Sequence, residues 1–255
     1  MPERNASDME PNETNRGVVR VYSGVETLSR AAADLFVQTA RGAVDSTDSI
    51  AVVLAGGHSP ERTYQLLAED PYRELVPWDK LDVFWGDERC VPRDDPSNNA
   101  RMAFDRLLGH VPIPDNRMHP IPVEEPPERA ALGYEELLRT FFQGRPPRFD
   151  LVFLGLGENG HTASLFPGTA ILEERSRWVK EVYVPEQHMY RVSLTVPIIN
   201  HASTIAFLVH GPNKSRVLRE VLKGPRRPRD LPAQLIAPVH GELLWLVDTE
   251  AAREL

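Results

Sequence analysis

Short apolar runs of strand length alternate with stretches of helical period along most of this chain. Residues 18–22, 50–54, 81–85, 151–154, 204–209 and 243–247 are rich in Val, Leu, Ile and Phe, the pattern of strands buried on both faces. Between them, apolar positions recur at three- and four-residue spacing: Val25, Leu28, Ala32, Leu35, Phe36 and Ala40 over 24–44, then Ala131, Tyr134, Leu137, Leu138 and Phe141 over 128–142. Shorter helical patterns carry Tyr64, Leu66 and Leu67, run from Asn98 or Asn99 to 108, and carry Val217, Leu218, Val221 and Leu222. Residues 178–184 and 191–196 read as two further strands, the second alternating through Val192, Leu194 and Val196. Repetition of strand, glycine-containing turn and helix predicts an α/β fold, an open and mostly parallel sheet with helices on both faces, Rossmann-like.

Residues 1–16, with many Asn, Glu, Asp and Pro and almost nothing to bury, are expected to be a disordered N-terminal extension, leaving 17–255 as a single α/β domain. Six prolines between 109 and 127 make that stretch an irregular crossing segment.

Four strand ends carry chemistry. The run at 50–54 breaks at Gly56 and Gly57, and Ser59 as N-cap with Pro60 at the first helical position predicts an open helix N-terminus able to hold an anion. The run at 81–85 ends in Gly86-Asp87-Glu88-Arg89, which by itself reads equally as a site or a solvated loop. The run at 151–154 ends in Gly155, Gly157 and Gly160 and delivers His161 and Thr162; the run at 204–209 leads to Gly211 and Lys214. In an open α/β sheet such turns gather beyond the carboxyl ends of the strands, where ligands bind.

Composition narrows the partners. With 29 Lys+Arg against 37 Asp+Glu, the net charge of −8 argues against a nucleic-acid or anionic-membrane binder, so an anionic substrate requires a local basic patch. One cysteine, Cys90, leaves no internal disulfide framework and fits a reducing compartment; it reads as a small structural residue rather than a thiolate. The eight histidines show no metal-ligand spacing, and His58 reads as a turn residue. No run approaches the roughly eighteen apolar residues of a membrane span, and the N-terminus lacks a signal-peptide core. A cytoplasmic protein, expected to be monomeric, is the simplest reading.

LAGGHSP (54–60), FWGDER (84–89), LGLGENGHTASLFPG (154–168), RVSLTVPIIN (191–200) and GPNKS (211–215) together resemble the 6-phosphogluconolactonase family, over 18–247. The resemblance implies an open sheet of the glucosamine-6-phosphate deaminase type, no metal or organic cofactor, and hydrolysis of the small-molecule sugar-phosphate lactone 6-phospho-D-glucono-1,5-lactone in the oxidative pentose phosphate pathway. Lactone hydrolysis needs a base for water, a positive group for the developing oxyanion and an acid for the leaving ring oxygen. His161 suits base and acid, because imidazole titrates near neutrality. Arg89 can stabilise the tetrahedral intermediate or hold the phosphate; Asp87 can orient Arg89 or contact sugar hydroxyls. Lys214 and Arg191 are phosphate candidates with the Ser59 helix start, although Arg191 reads equally as a surface strand charge. Gly56, Gly57, Asn159, Gly160 and Thr162 complete the expected substrate-binding set.

The family commonly has Asp-Gly-His where this chain has Asn159-Gly160-His161. An amide oxygen can still accept a hydrogen bond from the imidazole, but brings no charge. Two rivals are a glucosamine-6-phosphate deaminase-like isomerase and a sugar-phosphate-binding regulator without turnover. The isomerase pattern places an Asp before Gly-His and a Glu five residues after the His, where this chain has Asn159 and Phe166.

Overall fold

A computed structural model describes residues 12–14, 16–44, 49–143 and 147–255. Eleven strands lie among them: β1 (Asn12–Thr14), β2 (Gly17–Tyr22), β3 (Ile50–Leu54), β4 (Leu81–Trp85), β5 (Asp87–Arg89), β6 (Met118–His119), β7 (Leu151–Gly155), β8 (Val179–Val184), β9 (Met189–Leu194), β10 (Thr204–Val209) and β11 (Glu242–Asp248). The helices are α1 (Val25–Val44), α2 (Glu61–Ala68), α3 (Tyr72–Leu75), α4 (Asn99–Arg106), α5 (Pro127–Phe142), α6 (Val196–Ile199), α7 (Ser215–Lys223) and α8 (Thr249–Ala252), with short 3₁₀ turns between them.

The main sheet has the order β1-β2-β11-β10-β7-β3-β4-β6, and every pairing in it is parallel except β1 with β2. All five residues of β3 and of β4 are buried, as are five of the six in β10, so the sheet is covered on both faces, as the unbroken apolar runs predict. From β3 the chain moves outward through β4 to β6, then returns to β3's other side at β7 and moves the opposite way through β10 to β11. The order therefore reverses between β3 and β7, and the loops after these two strands open a crevice at their carboxyl ends.

Aromatic packing fixes the layers. Phe207 and Trp245, partners in the β10–β11 register, stack at 3.9 Å with planes 6° apart, and Trp245 Nε1 donates to the Arg16 carbonyl at 2.8 Å. On the other side of the reversal, Phe84 meets Phe141 edge-on at 4.9 Å, Phe149 at 5.5 Å and the His119 ring at 4.6 Å.

Several features differ from the sequence pattern. A second sheet, β5-β9-β8, is wholly antiparallel, and Asp87–Arg89 is a strand within it rather than a loop. Three charged residues carry no apolar alternation, and their partner strand lies a hundred residues on; pairing alone makes them a strand. Ser59 is not the cap of α2: Pro60 occupies that position in helical conformation, and no side chain caps the helix. Of the expected disordered extension, residues 1–11 and 15 lie outside the described residues, whereas Asn12–Thr14 pair with β2 and the Arg16 side chain donates to the Val221 and Gly224 carbonyls.

Trp245→Ala is expected to lower stability by about 3–5 kcal/mol, since it removes the stack on Phe207 and leaves a cavity. Urea denaturation followed by circular dichroism measures it; a cost below about 1 kcal/mol would show that the stack is not a core contact.

Candidate active site

The crevice is a cleft of about 430 Å³ lined by the turns after β3, β7 and β10 and by residues of β5 and β9. Gly56, Gly57 and Ser59 come from the end of β3, and Asp87 and Arg89 from β5. His161 follows β7, Arg191 lies on β9, and Lys214 follows β10. Asn159, Gly160 and Thr162, expected to bind substrate, do not line it. They stand behind the imidazole as the scaffold of its loop: Thr162 Oγ1 donates to the Gly155 carbonyl at 2.8 Å, and Gly160 bonds to Gly157 and Ala233 through its backbone.

Asn159 orients the histidine. Its Oδ1 accepts the His161 backbone N–H at 3.2 Å and lies 2.5 Å from Nδ1. Because the backbone donor requires the amide oxygen at that point, Nδ1 carries the proton and Nε2 keeps its lone pair. Gly157 packs under the ring: a Cβ there would lie 2.0 Å from Nδ1, so no other residue leaves room for the imidazole. Phe166 stacks on the ring at 4.1 Å with planes 17° apart. Burial pushes the imidazole pKa down to about 4; Asp87 opposes that shift, while Arg191, Lys214 and Arg89 reinforce it.

Asp87 ties the loops together. Its Oδ2 accepts from Ser164 Oγ at 2.5 Å and pairs with Arg191 Nη1 at 3.5 Å; its backbone carbonyl accepts from Asn99 Nδ2 at 2.9 Å. Arg191 is buried, at 6% exposure, which removes the surface-charge reading of this residue. Its guanidinium lies over the Phe166 ring at 5.3 Å and donates to Gln187. Arg89 and Arg191 are direct partners in the β5–β9 register, and such partners point to one face. Two guanidinium groups on the same face repel unless negative charge lies between them, and Asp87 supplies one such charge.

Three contributors carried no signal in the sequence pattern. Glu88 is fully buried and accepts the backbone N–H groups of Arg89, Asn99 and Ala100 at 2.7–2.8 Å, fastening the start of α4 to β5. Burial pushes its carboxyl up to about 7 against those donors. Asn99 lines the cleft and reaches Asp87 only because residue 56 is glycine; a Cβ there would stand 1.9 Å from Asn99 Oδ1. His210, at the end of β10, lines the same cleft. Burial raises the Cys90 thiol to about 11, in keeping with a structural residue. Among the described residues, no group of three or more His, Cys, Asp or Glu is arranged to hold a metal ion, and no helix is long and apolar enough to cross a membrane.

A half-buried histidine facing Arg89, Arg191 and Lys214 in the crevice of an open α/β sheet is an arrangement suited to anionic small molecules. Residues 24–245 match the model of the glucosamine-6-phosphate isomerases/6-phosphogluconolactonase family, and the chain belongs to that family. It is 43% identical over 208 residues to the 6-phosphogluconolactonase of a Synechocystis species, covering 80% of this chain and 84% of that one. The Nostoc 6-phosphogluconolactonase is 36% identical over 93% of this chain and 98% of its own. Among solved structures, the Trypanosoma brucei 6-phosphogluconolactonase superposes with a TM-score of 0.82 at 26% identity, over 95% of this chain and all of that one. A monomeric glucosamine-6-phosphate deaminase superposes at 0.80 with 23% identity, covering 93% and 99%, and so shares the fold.

The His161 imidazole is expected to stay neutral down to about pH 4, against an ordinary histidine value of about 6.5. Between those values the unfolded chain binds the extra proton, so this residue makes stability rise with pH across that window. A titration of its ring resonances by NMR tests this; a midpoint above about 6 would show that burial does not control the group.

Proposed function

We propose that this chain hydrolyses 6-phospho-D-glucono-1,5-lactone to 6-phospho-D-gluconate, with His161 as the acid–base residue. The observation that carries the proposal is the Asn159-held imidazole, proton on Nδ1, in a cleft that also receives Arg89, Arg191 and Lys214. A neutral Nε2 takes a proton from water as the oxygen attacks the lactone carbonyl carbon. The C1–ring-oxygen bond then breaks, and the imidazolium returns the proton to the departing oxygen. The sum is lactone plus water giving hydroxy acid, which ionises in solution. Positive charge in the cleft serves both the carbonyl oxygen, as it becomes anionic, and the substrate phosphate. The chain fits a cytoplasmic monomer acting on a free sugar phosphate, in keeping with its net charge of −8 and its single cysteine.

The isomerase alternative requires further proton-transfer groups around the sugar. Phe166 stands stacked on the imidazole where that pattern has a glutamate, and an aromatic ring transfers no proton. The regulator alternative is met by turnover itself.

Purified protein given freshly prepared lactone is expected to accelerate acid release well above the spontaneous rate, and His161→Ala to fall to background; an unaccelerated reaction would overturn the proposal. Asn159→Asp is expected to keep kcat/KM within about tenfold, about 1.4 kcal/mol, because a carboxylate oxygen accepts the same two donors. The added charge favours imidazolium, so the acidic limb of its pH–rate profile should move to higher pH. A larger loss, or an unmoved limb, would contradict the orienting role assigned to Asn159.

A further inference from the structure

Lactone hydrolysis changes the charge of its ligand. The lactone carries only its phosphate, whereas the product carries a carboxylate as well, formed at the carbon on which His161 acts. A cleft lined by Arg89, Arg191 and Lys214 alone would hold the product more tightly than the substrate.

Two carboxylates also line the cleft, Asp87 and Glu158, and they are not equivalent. Asp87 is buried and taken up by Ser164 and Arg191. Glu158 is exposed, on the same turn as His161, and its Oε1 accepts from Asn213 Nδ2 at 2.5 Å. Asn213 lines the cleft too and precedes Lys214, so this contact joins the His161 turn to the Lys214 turn. A carboxylate offers no donor, which commits Asn213 to presenting its amide nitrogen.

Both ends of the bridge are anchored. On one side, the Gly157 N–H donates to the His161 carbonyl at 2.8 Å and the Gly160 N–H to the Gly157 carbonyl at 2.9 Å. On the other, the Gly211 N–H donates to the buried Asp248 carboxylate at 3.1 Å. Gly211, at φ 91°, also leaves room for the Asn213 amide, since a Cβ there would lie 3.1 Å from Oδ1. Among the described residues Glu158 makes no ion pair, and its Oε2 accepts no hydrogen bond. Its charge is felt at longer range: burial lowers the Lys214 pKa, and Glu158 opposes that shift.

We propose that Glu158 is a specificity-determining residue of this cleft: its carboxylate, held at the rim by Asn213, disfavours a second anionic group beside the His161 turn, so that the hydroxy-acid product is held less tightly than the three cations alone would hold it. The uncharged lactone end meets no such repulsion, and a tethered carboxylate cannot swing away from a charged one. This role rests on the hydrolysis proposed above.

Calorimetric titration of the full chain with 6-phospho-D-gluconate and with D-glucitol 6-phosphate reads the discrimination without turnover, because the two ligands differ only in a carboxylate against a hydroxymethyl group at C1. Glu158→Gln keeps an amide oxygen for Asn213 and removes the charge. It is expected to tighten 6-phospho-D-gluconate by about fivefold or more while changing D-glucitol 6-phosphate by less than about twofold. Inhibition of lactone hydrolysis by its product should strengthen in the same variant. Asn213→Ala, which releases the carboxylate but keeps it, should move the preference the same way by less. Equal changes for the two ligands, or none, in a Glu158→Gln chain that hydrolyses the lactone would overturn the role of Glu158 alone. So would a larger effect of Asn213→Ala than of Glu158→Gln, which would assign the preference to the bridge and not to the charge. A wild-type chain that neither hydrolyses the lactone nor binds either ligand at about 10 mM would overturn both readings.

Discussion

The buried Asp87 carboxylate is the contact on which the arrangement of the cleft depends. It receives Ser164 from the histidine loop and Arg191 from β9, while its own backbone carbonyl receives Asn99 from α4. Those three groups come from three separate segments, two of which also meet where the Ser164 backbone N–H donates to Ser193 Oγ at 3.2 Å. A buried carboxylate needs such donors, so the segments that supply them support one another. The same requirement explains why the second sheet exists. Pairing β5 with β9 is what sets Arg191 beside Asp87 and opposite Arg89.

α4 links this hub to the rest of the molecule. Glu88 holds the first two backbone N–H groups of the helix, and Asn98 caps it from the preceding turn. With its start fixed twice, the helix has little freedom to rotate. Asn99 is then committed to the His161 cleft, and Asn98, Ala100 and Phe104 to a separate cavity of about 440 Å³ that Trp85 and Met118 also line. A single helix thus forms a wall of both cavities, and its register is set by one buried carboxylate and one amide.

Much of the scaffold was legible because burial on both faces writes itself as unbroken apolar runs: the bounds read for 50–54, 81–85 and 204–209 coincide with β3, β4 and β10. The gathering of the turns beyond the carboxyl ends followed from alternating strands and helices, whereas the reversal of strand order between β3 and β7 did not. What could not be read is contact between distant polar residues. Nothing local distinguishes the fully buried Glu88 from a solvated glutamate, or tells that Arg191 faces inward, because each is decided by what packs on it. Ser59 failed as a cap for a related reason: a Ser-Pro pair fits a helix start, but the turn after Gly57 carries the chain one residue further before the helix begins. Asn159, singled out as a departure from an Asp-Gly-His pattern, supplies His161 with a hydrogen-bond acceptor that carries no charge.

That last point bears on how the proposed hydrolysis is balanced. Burial and three nearby cations keep the imidazole neutral, which suits a base but opposes the imidazolium that must form next. An aspartate at 159 would ease that step by placing a negative charge beside Nδ1. Without it, the compensating charge has to arrive with the substrate. A phosphate brings nearly two negative charges, and each unit charge about 6 Å from a cation is worth about 3 kcal/mol at an effective dielectric near 20. Partly offsetting Arg89, Arg191 and Lys214 in this way would weaken their share of the depression of the imidazole, while burial continues to oppose its charged form and Asp87 to favour it. On the proposed route, an anionic substrate would thus make the imidazole a stronger base than it is in the empty cleft.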